Sequence, residues 1–219
     1  MSNAAKGVER KSSKAEIAIS KGWVQGVALV LLFGFLVMGI LAYRTYTDSM
    51  PLPAQVVSTD GKTLFTEEDI TAGQETFLRR GLQQYGSILG HGAYLGPDFT
   101  AEYLRLSSEH IQGSLREQGV QDPTAATKEM LRANRYDPDT GVLVFTPEQV
   151  TAFEEIRAYY AEFFGVDTTE HGLLPSAITD PAQIRELTAF FGWTAWAAAA
   201  ERPGHSYGSP GIDVGRIGA

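Results

Sequence analysis

The side chains best suited to metal or proton chemistry are four histidines, His91, His110, His171 and His205, and the carboxylates Asp98, Glu102 and Glu109. A metal centre needs ligands that converge, and the histidines show neither HxxxH nor HxxE spacing. His91 stands apart because it lies between Gly90 and Gly92. The other three read as solvated or hydrogen-bonded. The carboxylates could line a proton route, although a solvated helix face is the simpler reading. The chain contains no cysteine, which excludes disulfides, thiolate metal sites and thioether-linked haem. It also lacks a GxSxG nucleophile elbow and an HExxH zinc motif.

His91 belongs to the stretch that organises the chain, Gly81 to Tyr103, GLQQYGSILGHGAYLGPDFTAEY. Gly81, Gly86, Gly90, Gly92 and Gly96 punctuate it, with Leu82, Tyr85, Ile88, Leu89, Tyr94 and Leu95 between them. Glycine at this density marks backbone that turns sharply or approaches another group closely. A flexible linker would be polar, whereas these large side chains need burial. The sequence therefore predicts an ordered, wrapped loop, closed by Pro97-Asp98, with Thr100 as N-cap of a helix from about Ala101.

The elements around this loop can be read in order. Residues 1–21 are polar and basic. Residues 22–43, GWVQGVALVLLFGFLVMGILAY, carry no charge and are long enough to cross a bilayer core of about 30 Å. Trp23 and Tyr43 sit where interfacial aromatics belong, and the lysine-rich flank puts the N-terminus in the cytoplasm. A cleaved signal peptide would have a shorter apolar core; a retained anchor is expected. Beyond it, residues 44–66 form a connector with a hairpin at Asp60-Gly61. Helices follow from Thr66 to about Arg80, Ala101 to Gln118, and Asp122 to near Asn134. A second hairpin spans Tyr136–Phe145, and further helices start at Thr146-Pro147 and Asp180-Pro181. Val150, Phe153, Ile156, Tyr160 and Phe163 or Phe164 fall on one helical face. Trp193 and Trp196 read as packing residues. The net charge of −8 argues against a nucleic-acid partner. The fold class is mainly α, with one transmembrane helix and minor β-hairpins.

The string GSILGHGAYLGPDFT, flanked by helices and followed by an aromatic-rich final helix, resembles the small cytochrome subunit of nitric oxide reductases. There a CxxCH haem motif runs into a segment like TILGEGAYxAPDLT. Set against that pattern, the two cysteines fall on Leu82 and Tyr85, the axial histidine on Gly86, and the Met-Pro of the other axial ligand on Leu174-Pro175. The resemblance thus implies a vacated haem site, with Leu82, Tyr85 and Leu174 as filler. Together with VVSTDGKTLFTEEDI, GSILGHGAYLGPDFTAEYL, FFGWTAW and ERPGH, it extends over about residues 20–207. Over that length the chain is similar to the N-terminal part of quinol-dependent nitric oxide reductases, in which the cytochrome portion is fused to the catalytic one and lacks haem.

That resemblance implies residues 67–202 as a haem-free cytochrome c-like domain and 203–219 as a tail. It implies no catalytic residue and no cofactor on this chain. The partner would be a polytopic catalytic subunit or domain that carries haem b, haem b3, non-haem iron and possibly calcium, and that takes electrons from membrane quinol. Gly90, His91, Gly92, Tyr94 and Asp98 would face it, the backbone at Gly92 and Tyr94 approaching the calcium. A tight turn with Tyr94 packed inward is the structural alternative. The family continues into a large membrane domain, so the chain is expected to be a split subunit or part of a longer reading frame. A free-standing, membrane-anchored binding or assembly protein on a degenerate cytochrome c fold is the alternative function.

Overall fold

The computed structural model describes residues 20–47, 50–92, 95–165 and 172–201. Most of the basic tail, Tyr94, His171, His205 and the expected C-terminal tail lie outside the described residues. The chain divides into two units, Met1–Ser49 and Met50–Ala219.

In the first unit, α1 spans Lys21–Thr47, and Lys21–Thr45 is long and apolar enough to cross a membrane. At about 1.5 Å per residue the helix exceeds the hydrocarbon thickness. It outruns the expected 22–43 because nothing in Arg44-Thr45-Tyr46-Thr47 breaks a helix. The Ser20 hydroxyl accepts from the Trp23 amide at 3.3 Å and caps its start.

The second unit is helical with one small sheet. β1 (Gln55–Ser58) and β2 (Thr63–Thr66) form the first hairpin; β3 (Tyr136–Asp137) and β4 (Val142–Phe145) form the second. Both were expected. The new feature is that β1 and β4 pair in parallel, Gln55 opposite Val142 and Ser58 opposite Phe145. The hairpins therefore fuse into one sheet of order β2-β1-β4-β3. Val56, Phe65, Leu143 and Phe145 point from it into the core, and their burial fixes the register.

Five helices complete the unit: α2 (Glu67–Arg79), α3 (Phe99–Glu117), α4 (Pro123–Arg132), α5 (Pro147–Gly165) and α6 (Pro181–Ala199). Their starts follow the sequence closely. Thr66 and Asp69 form a reciprocal capping box on α2, and Thr146 and Gln149 exchange the same pair of bonds on α5. Asp122 and Asp180 cap α4 and α6, each just before a proline. One start differs. Asp98, rather than Thr100, caps α3 by accepting from the Ala101 amide. Thr100 is buried inside the first turn, where its hydroxyl serves tertiary contacts instead.

The closest helix pair is α2 against α6. A Cβ at Gly73 would overlap the carbonyl oxygen of Glu186 and crowd Phe190, so the two backbones meet only because Gly73 has no side chain. Asp69 ties the same pair together: its carboxylate caps α2 and accepts from Arg185 at 2.8 Å. Gly73→Ala is expected to destabilise the domain by about 1–3 kcal/mol through overpacking. Gly113→Ala, on α3 with open space around the added carbon, should be neutral or stabilising by up to about 1 kcal/mol. Denaturant unfolding of the two variants checks the contrast.

Candidate functional site

The glycine loop leaves α2 at Gly81, which adopts φ 68°, and makes a 3₁₀ turn over Leu82–Gln84. It then loops round so that Asp98 comes back beside Ser87, the two pairing in parallel across the neck. The Ser87 amide donates to the Pro97 carbonyl at 3.1 Å and the Phe99 amide to the Ser87 carbonyl at 2.8 Å. Asp98 holds this loop from inside. Its Oδ2 accepts from the Ser87 hydroxyl at 2.7 Å and the Gly90 amide at 2.8 Å, while Oδ1 caps α3. Thr100 supplies the second tie. It accepts from the Leu89 amide at 2.9 Å and donates to the Thr194 hydroxyl on α6 at 3.0 Å. The described part of the loop is tied at its neck, with Asp98 as the internal clasp.

The loop tip is exposed at Gly90, His91 and Gly92. His91 Nδ1 lies 2.8 Å from the Ile88 carbonyl oxygen. A carbonyl only accepts, so this nitrogen carries a proton, and in the neutral ring the lone pair is on Nε2. Among the described residues no group of three or more His, Cys, Asp or Glu could hold a metal ion. Glu102 accepts from the Tyr159 hydroxyl at 2.7 Å; that contact and burial hold the Tyr159 pKa above its ordinary value, burial being the larger cause. Glu109 pairs with Arg105 at 2.8 Å. The three carboxylates read from sequence thus have three different local partners and do not converge.

The positions set against the haem motif fare differently from one another. Leu82 is buried in the core at 1% exposure and Tyr85 packs partly buried against it; burial of a leucine side chain contributes about 1.5–3 kcal/mol. Leu174, expected as filler, is instead 72% exposed, and Leu173 is the buried neighbour at 5%. In this segment, which is neither helix nor strand, the two neighbouring leucines differ in burial, Leu173 inside and Leu174 outside. Gly86 is buried against the ring of Phe99, which a Cβ there would overlap.

Phe99 is the residue that motif reading missed. Its ring stacks on Phe191 with centroids 4.5 Å apart and planes 3° from parallel. Phe77 and Phe163 meet it edge-on, and Phe164 and Tyr160 close the cluster. The available signal was local: an aromatic directly after the helix cap, opposite a final helix rich in Phe. These residues do not fit a c-type haem. The chain has no cysteine to form a thioether, and an axial side chain at Gly86 would collide with Phe99.

The loop thus joins α2 to α3 in a mostly helical unit whose α3 packs on α6 through Phe99 and Thr100. The family model for the NorB cytochrome c-like domain of nitric oxide reductase matches residues 53–209, most of the chain, and the chain belongs to that family. No curated protein matches it.

Two variants test the site. Asp98→Ala removes three acceptor contacts; bonds to a charged group contribute about 1.5–3 kcal/mol each. Faster amide exchange at Gly90 and Ala101 and a lower melting temperature are expected. The triple variant Leu82→Cys, Tyr85→Cys, Gly86→His, expressed with a haem-attachment system, is expected to acquire no stoichiometric haem by absorbance, because Phe99 still occupies the space.

Proposed function

We propose that this chain is the membrane-anchored, haem-free cytochrome c-like part of a quinol-dependent nitric oxide reductase. In this reading the complete enzyme reduces two NO to N2O and water with electrons from quinol. Haem b, haem b3, non-haem iron and any calcium belong to a polytopic catalytic partner. Residues 67–202 cover and support that partner and carry no electrons. Residues 22–43 anchor the domain, residues 1–21 lie in the cytoplasm, and residues 44–66 connect the two on the outer side.

The observation that carries the reading is the filled core behind the motif. Where relatives would attach haem, this chain has Leu82, Tyr85 and a bare Gly86 packed against a stack of aromatic rings. Family membership supplies the reductase context. The apolar helix Lys21–Thr45 supports the anchor. The exposed tip, Gly90-His91-Gly92 on a clasped neck, supports a contact role there, with Asp98 acting from behind rather than in the contact itself. Tyr94 would join that contact, its carbonyl and that of Gly92 serving any calcium.

Affinity capture of the chain from its native membranes in mild detergent tests the reading. Stoichiometric recovery of a haem-bearing polytopic protein with NO-reducing activity is expected. Recovery of the chain alone would favour a free-standing anchored binding protein, the reading that the exposed Leu95 and Leu174 (55% and 72%) would also suit.

A further inference from the structure

Where α3, α4, β4, α5 and α6 meet there is a cavity of about 20 Å³, lined by Tyr103, Ser107, Gln149 and Trp196 among apolar neighbours such as Leu131 and Ala195. The volume decides what can occupy it. One water needs at least about 10–15 Å³ measured in this way, so the space admits a single water and no larger ligand. The lining decides whether it is wet. Cavities that stay dry are apolar throughout, whereas a held water needs two to four polar partners.

Here the partners are present on two helices. Tyr103 and Ser107 lie one turn apart on α3, each 5% exposed, and both line the cavity. Each hydroxyl can donate once and accept twice, which gives a water partners on this helix. On α5, the Gln149 oxygen accepts from the Thr146 amide at 3.0 Å; Gln149 lines the cavity too, and its NH2 group can donate. Burial raises the Tyr103 pKa, so the phenol keeps its proton at neutral pH. The tyrosine ring is fixed in place by Gly192 on α6: a Cβ there would lie 3.0 Å from the Tyr103 hydroxyl oxygen.

We propose that this cavity is a binding site for one water molecule, held by Ser107, Tyr103 and Gln149, that links α3 to α5 beside the α6 contact at Gly192. The site is separate from the glycine loop and is independent of which reductase type the chain serves.

A high-resolution crystal structure of the full chain in detergent is the direct test. One density peak is expected at hydrogen-bond distance, about 2.7–3.2 Å, from Ser107 Oγ and from Tyr103 Oη or the Gln149 amide. An empty cavity, or a side chain rotated into it, overturns the proposal. In solution, a nuclear Overhauser cross-peak between long-lived water and the Trp196 indole proton is expected, and its absence counts against the site. Ser107→Ala should abolish both the peak and the cross-peak; their persistence unchanged overturns the role given to Ser107.

Discussion

Much of this domain depends on one ring. Phe99 is the first residue of α3, yet it makes its closest contact with α6, lying flat on Phe191. Offset and edge-on aromatic contacts add about 0.5–1.5 kcal/mol each beyond the area they bury, and Phe99 makes both kinds with rings from α2, α5 and α6. To place that ring, the chain must loop out after Gly86 and return beside Ser87 at Asp98, and Gly86 must lack a side chain. Asp98 then stands at the helix start and the neck of the loop together, and its two oxygens serve both. The neck of the loop is held because the core reaches into it.

This gives the loop two mechanical parts. The neck is pinned by Asp98 and Thr100, whose hydroxyl chain runs through Thr194 to the Phe191 carbonyl. Among the described residues, Gly90 to Gly92 are exposed, and the His91 ring is held by the Ile88 carbonyl. A short exposed segment on a rigid base is the arrangement in which loops commonly carry function.

The helices and hairpins were legible in the sequence because local rules govern them. Thr66-x-x-Asp69 and Thr146-x-x-Gln149 cap as such pairs should, and the turns at Asp60-Gly61 and Thr140-Gly141 close hairpins. The glycine loop was legible as ordered, from large side chains that need burial. What escaped was set by distant partners. Thr100 looks as good an N-cap as Asp98, and only burial against α6 removes it from that role. Leu173 and Leu174 are indistinguishable locally, and one is inside while the other faces out. Gly73 shows no motif, because its meaning lies in the Glu186 carbonyl across the helix pair. The parallel joining of β1 to β4 leaves no local trace either.

That joining has a consequence for how the chain becomes folded. β1 can form its hairpin with β2 at once, but its other edge must wait for β4, which follows three helices later. Contacts between segments so far apart in sequence are slow to form, since loop closure comes before their reward. Until Val142–Phe145 are available, the far side of Gln55–Ser58 is an open strand edge with Val56 and Val57 on it, the kind of surface that pairs with the wrong neighbour. The order of synthesis therefore leaves the first strand of the domain exposed the longest. The acidic first turn of α2, Glu67-Glu68-Asp69, follows that hairpin directly, and like charges placed there oppose chain-to-chain association.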